Sequence, residues 1–289
     1  MTAPQTPEPM TLRARIPAPI AQVREALTDP AALRVWLAEH AEADLAAGRF
    51  AFWGPTTPEG DAPHQRLLHA DEDALRFAWL LDGEETTTEL RLEEDGPDVT
   101  SVTLSQTHFD FQDVITGKSI RGVLQTYWCL ALANLAEYLE GRELTPKPDY
   151  SATGPELRAE TVVEAPPAEV FASLIDSETV TKWFGFPIEI EPYVGGRFAM
   201  GGLANDPSPA KILELEPARR FSLNWGDGGI GTWELEGSGG RTRLTMVQSG
   251  FAAERPPYAA WGGILAGVAE LRRYHRMSSG WRPVLEPAA

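Results

Sequence analysis

The chain carries one pattern twice. Ile16–Leu37 reads IPAPIAQVREALTDPAALRVWL and Val163–Phe184 reads VEAPPAEVFASLIDSETVTKWF, with Pro19 matching Pro166, Val23 matching Val170, Leu27 matching Leu174, Asp29 matching Asp176 and Trp36 matching Trp183. The echo continues: Gly48-Arg49-Phe50 returns as Gly196-Arg197-Phe198, Phe77-Ala78-Trp79 as Phe221-Ser222-Leu223, and Val102–Gln106 as Leu244–Gln248. A repeat of roughly 145 residues is far longer than a solenoid unit and about the size of one ordinary domain. The sequence therefore predicts two similar globular domains in tandem, over residues 10–145 and 156–289, joined by a proline-containing spacer at 146–155 and preceded by a disordered tail at 1–9. Each half is long enough to bury a core without disulfides or metals.

The net charge of −17 falls mainly in the first half, where residues 1–145 carry 24 Asp and Glu against 11 Lys and Arg. Such a surface repels phosphate backbones and anionic lipids, so neither nucleic acid nor a membrane is expected as a partner. No apolar run reaches the roughly 18 residues a membrane span needs. The opening MTAPQTPEPM lacks the basic flank and apolar stretch of a secretion signal. A lone Cys129 excludes an internal disulfide and fits a reducing cytoplasm. Its apolar neighbours point to a core thiol.

Within each half the periodicity changes in the same order. Leu12–Ile16 alternates as a strand does, Ala21–Leu27 has helical spacing, and Asp29-Pro30 opens a second short helix to Trp36. Period two then takes over around Phe50, Phe77, Leu90 and Val102, with Gly, Pro and Asp turns between. Ile120–Leu139 returns to helical spacing, with Gly141 placed to end it. The second half repeats this order, closing on a helix over roughly Tyr258–Met277 that Gly262, Gly263 and Gly267 weaken. The fold class is α+β: in each half, a curved antiparallel sheet whose apolar face is covered by the long final helix, with two short helices after the first strand.

Pro-x-x-x-Val at the first helix, Trp-Leu or Trp-Phe closing the second, Gly195-Gly196-Arg197-Phe198 on an early strand, Thr-x-Leu-Thr at 242–245 and the terminal Asn134–Glu140 helix together resemble a known family. They are similar to the Hsp90-ATPase-activator-homologue-like domains, bacterial members of the START-related (SRPBCC) or pollen-allergen-like helix-grip superfamily. The resemblance covers nearly all of both halves. It implies a cavity between sheet and long helix. It leaves function open, because relatives on this fold bind different small apolar molecules or catalyse reactions on them.

Strand parity assigns side chains to that cavity. In the first half these are Phe52, Phe77, Trp79 and Gln106, with His108 beyond them and Trp128 from the helix. In the second they are Met200, Leu223, Trp225, Trp233 and Gln248, with Trp261 from the helix. Gln106 and Gln248 match in the repeat and interrupt an apolar face, so each amide meets either a protein partner or a polar group of a ligand. The remaining rings, on sheet and helix alike, suit a small apolar or aromatic ligand.

His108 is the one weak candidate for an acid or base. His64 and His69 with Asp71 fall on opposite faces of a strand, against a shared ion, and His40 and His275 read as surface positions. The Gly226–Gly231 run lies between strands and reads as a turn. No nucleophile elbow, phosphate loop or zinc motif is present, so neither metal nor cofactor is expected. The leading expectation is a ligand-binding protein. The alternatives are a chaperone partner, implied by the family name alone, an aromatic cyclase or hydrolase using His108, and a pseudo-dimer of the two domains.

Overall fold

The computed structural model describes residues 9–116, 119–277 and 280–286. Apart from Pro9, the tail expected at 1–9 lies outside them. The chain divides into two compact units: one runs to Ser151 and takes in Tyr258–Gly263 and the segment from Val284, and the other holds Ala152–Pro257 and Ile264–Pro283.

The first unit opens with β1 (Met10–Ile16), α1 (Ile20–Thr28) and α2 (Pro30–Trp36). The break between the helices is fixed by Asp29, whose carboxylate accepts from the N–H groups of Ala31 and Ala32, both at 3.1 Å, while Pro30 occupies the first helical position. Then follow β2 (His40–Asp44), β3 (Arg49–Trp53), β4 (Gln65–Ala70), β5 (Ala74–Leu81), β6 (Glu84–Glu94) and β7 (Thr100–Gln106). Two helices close the unit, α3 (Phe111–Thr116) and α4 (Leu124–Leu139). Residues Ile120–Val123, expected as the first turn of the long helix, form a separate 3₁₀ turn. The main sheet has the order β1-β7-β6-β5-β4, and β2-β3 forms a separate ribbon. Where β3 approaches β4, the Phe52 N–H donates to the Gln65 side chain at 3.1 Å in place of a backbone carbonyl.

The second half of the chain repeats this order, without a counterpart of α3, as β8 (Glu156–Val163), α5 (Pro167–Ile175), α6 (Ser177–Phe184), β9 (Ile188–Ile190), β10 (Arg197–Met200), β11 (Ala210–Glu216), β12 (Arg220–Asn224), β13 (Ile230–Ser238), β14 (Arg241–Ser249) and α7 (Tyr258–Arg276), whose first residues to Gly263 group with the first unit. Its sheet is continuous, β8-β14-β13-β12-β11-β10-β9. The repeat extends to single hydrogen bonds. Trp36 Nε1 donates to Ala26 O at 3.0 Å as Trp183 Nε1 does to Ser173 O at 2.8 Å, and Thr100 Oγ1 donates to Ala18 O at 2.8 Å as Thr242 Oγ1 does to Ala165 O at 2.7 Å.

The glycines of α7, which read as a weakness of the helix, have a packing role at Gly267. A Cβ there would lie 2.6 Å from the Phe184 ring, so only glycine lets α7 pass the end of α6 this closely. His275, expected at the surface, is half-buried on α7 with its ring 5.4 Å from that of Tyr274, and burial lowers its pKa.

Candidate functional site

Strand register sets the correspondence between the two sheet faces. Phe77 lies opposite Thr88 and Thr88 opposite Gln106, while Leu223 lies opposite Gly231 and Gly231 opposite Gln248. Phe77 therefore corresponds to Leu223 and Leu75 to Phe221, two residues away from the linear alignment of Phe77 with Phe221. The parity of the strands is unaffected, but the chemistry of the face is. The same count makes Trp225 the counterpart of Trp79 and Gly231 the counterpart of Thr88.

In the first unit this face is filled. Phe52, Phe77, Trp79 and Trp128 are each 2 % exposed or less. Their rings meet edge-on or tilted, with centroids 5.2 Å apart for Phe52 and Trp79, 6.0 Å for Trp79 and Trp128, and 6.4 Å for Phe77 and Trp128. Such offset contacts are favourable for aromatic quadrupoles and leave the rings interlocked. Gln106, fully buried, has its amide occupied by protein: Oε1 accepts from Thr88 Oγ1 at 2.6 Å and from Trp128 Nε1 at 3.2 Å, and Nε2 donates to Thr107 O at 3.2 Å. His108 stands past the end of β7 with a positive φ of 57°. The structure thus gathers five of the six first-half candidates into one packed core and leaves His108 outside it.

The second unit is open in the same region. A chamber of about 70 Å³ lies between sheet, helix and the end of α6. Leu174, Val180, Trp183 and Phe184 line it from α5 and α6, Phe198, Met200, Phe221, Leu223 and Trp233 from the sheet, Trp225 from the turn after β12, and Ile264 from α7. Ile188 completes it. The lining is apolar apart from the indole N–H groups of its tryptophans. Met200 is 40 % exposed and the rings of Phe184, Phe198, Trp225 and Trp233 are only partly covered, so the chamber opens to solvent along its sheet side. Four of the six second-half candidates, Met200, Leu223, Trp225 and Trp233, meet here. Gln248 lies on the same sheet face, buried behind Gly231. Trp261, also buried, falls in the stretch of α7 that groups with the first unit.

Parity reasoning missed Leu174, Val180, Trp183 and Phe184. Their signal was present in the helical spacing of Val170, Leu174, Val180 and Trp183, but a helix face reads as core unless the opposing surface is known to stop short of it. The reason it stops short is visible in the register, with leucine for Phe77 and glycine for Thr88.

Chemistry by titratable groups is sparse near the chamber. His69 Nε2 pairs with Asp71 at 2.7 Å and His64 Nε2 with Asp61 at 3.1 Å, both in the first unit and both exposed. Desolvation pushes the Cys129 thiol up to about 12, leaving it almost entirely protonated at neutral pH. No helix among the described residues is long and apolar enough to cross a membrane.

The profile of the family described as Activator of Hsp90 ATPase homolog 1-like protein matches residues 17–140 and again 164–285. Among solved structures, the conserved protein EF2215 from Enterococcus faecalis is 18 % identical over 45 % of this chain and 75 % of its own, with a TM-score of 0.39. CalU16 from Micromonospora echinospora is 27 % identical over 49 % of this chain and 78 % of its own, with a TM-score of 0.36. DynU16, a putative protein in the dynemicin biosynthetic locus, is 22 % identical over 92 % of this chain and 100 % of its own, with a TM-score of 0.35. No curated protein matches the chain. Because the two matched stretches fill most of the sequence and each contains one round of paired short helices, sheet strands and long helix, the chain belongs to the activator of Hsp90 ATPase homolog 1-like family, in two tandem copies.

Proposed function

We propose that this protein binds a small apolar or aromatic molecule, and that it does so in the chamber of its second unit while the first unit serves as a filled counterpart. One observation carries the reading. The same sheet face that Phe77, Trp79 and their neighbours close in the first unit is lined in the second by partly exposed apolar side chains around about 70 Å³ of space. Apolar surface left in contact with water is a standing cost that an apolar ligand removes.

The size of the chamber limits the guest. An engineered core cavity of about 150 Å³ is known to hold benzene, so a single ring here extends from the chamber into its open mouth. Met200 stands at that mouth, and its unbranched, polarizable side chain adapts to a guest at low cost.

Toluene titration of the full chain, followed by tryptophan fluorescence, tests the proposal, since Trp183, Trp225 and Trp233 all line the chamber. Saturable quenching or shift is expected. Leu223→Phe, which installs the ring that the first unit carries at this position, should abolish the response while the protein remains folded. An unchanged spectrum in the parent protein, or an equal response in the variant, would remove the basis for the reading.

A further inference from the structure

The second amide of the repeat identifies what else the guest must carry, an inference that rests on the chamber proposed above. Gln248 is 3 % exposed and its Nε2 donates to the carbonyl oxygen of Gly228, but its Oε1 accepts from no donor among the described residues. The amide cannot be turned over to mend this. A carbonyl oxygen only accepts, so the nitrogen must face Gly228 and the oxygen must face away.

It faces position 231. In the first unit the equivalent oxygen is satisfied by the hydroxyl of Thr88, which the register places opposite Gln106. In the second, Gly231 occupies that place and supplies no donor. The missing side chain leaves a narrow notch, too tight for a Cβ unless its neighbours shift: one at Gly231 would lie 3.0 Å from Gln248 Oε1 and 3.3 Å from the indole nitrogen of Trp225. Directly opposed residues of an antiparallel pair share a face. The notch therefore opens on the face that presents Leu223, and with it Phe221 and Trp233, to the chamber. Trp225 borders both spaces. A point within reach of a buried, unused acceptor and of an indole N–H suits a small group that both donates and accepts, such as a hydroxyl, which donates to the first and accepts from the second.

We propose that the chamber selects an aromatic or apolar molecule bearing a single hydroxyl, which donates its hydrogen bond to Gln248 Oε1 in the notch left by Gly231. Thr88 plays the part of that hydroxyl permanently in the first unit. Gly231 is thus the position that decides between a site that reads a ligand and one that is internally closed.

Phenol and toluene separate the polar contribution from the apolar one, because the two differ little in size and the hydroxyl of phenol is costly to bury without a partner. Dissociation constants for both are measured on the full chain, on Gln248→Met and on Gly231→Thr, with thermal unfolding to verify that each variant is folded. Phenol should bind the parent protein more tightly than toluene. The ratio of the two constants should fall about tenfold in both variants, in one because the acceptor is gone and in the other because a threonine hydroxyl occupies it. If one variant fails to fold, the other decides. Toluene binding without a preference for phenol, or a preference that survives in the folded variants, overturns the inference and leaves the apolar chamber standing. Binding of neither compound overturns the chamber itself.

Discussion

At the scale of single residues, the two units differ by side chains whose volumes decide whether a space exists. Phe77 fills the first sheet face and Thr88 satisfies its Gln106 amide, and Leu223 and Gly231 leave the second short of both a ring and a hydroxyl. Truncations should therefore have opposite characters. Phe52→Ala removes a fully buried ring from an interlocked cluster and is expected to destabilise by about 3–5 kcal/mol. Met200→Ala, at a position 40 % exposed, should cost less than about 1 kcal/mol. Denaturant unfolding of both variants measures the difference, and equal losses would mean that the second face is as tightly packed as the first. Much of this was legible in the sequence: the matched Gln106 and Gln248 and the rings around them follow from repeat and parity alone. Which residue satisfies each amide was not, because Thr88 and Gly231 are brought into place by hairpin register. Paired residues Leu223 and Gly231 lie closer in sequence than their counterparts Phe77 and Thr88, and linear alignment absorbs the difference in the wrong place. Burial at His275 was likewise hidden, since a histidine late in a helix reads as exposed until its neighbours are known.

At the scale of elements, the hairpin from β9 to β10 carries Phe198 and Met200 into the chamber and is held by an ion pair at its turn. Glu191 accepts from the Arg197 side chain at 2.8 Å through both Nε and Nη2, and from the Arg197 backbone N–H at 3.0 Å. The side-chain hydrogen bonds of Arg197 hold the carboxyl at about 2, below its ordinary 4.5. A lowered folded pKa means that the unfolded hairpin takes up the proton first as the pH drops. The stabilisation is complete above about pH 4.5 and is lost as the pH falls through about 2. Hydrogen exchange at the β9 and β10 amides should accelerate across that window in the parent protein. Glu191→Gln should flatten the dependence, and a profile identical in both would assign the acid response to other groups. The order of elements was the most readable feature of the chain, whereas β2 and β9 escaped notice because short strands have too few residues to establish a period.

At the scale of the whole molecule, the last described residues lie against the first strand. Arg15 N–H donates to Val284 O at 2.7 Å, Glu286 N–H donates to Arg13 O at 2.9 Å, and Ala14 and Leu285 form an antiparallel bridge. Val284 is completely buried. Removing residues 284–289 should cost about 1.5–3 kcal/mol from that side chain alone and should bare the outer edge of β1, a known template for association between chains. A lowered melting temperature together with concentration-dependent scattering is the expected signature, and a truncated protein that melts with the parent and stays monodisperse would deny the segment this role. The duplication in the sequence invites treating the halves as exchangeable cassettes. A gene cut after Ser151 would instead deliver a first half with its border unlaced, lacking the few residues that the polypeptide returns to it only after the second half has been made.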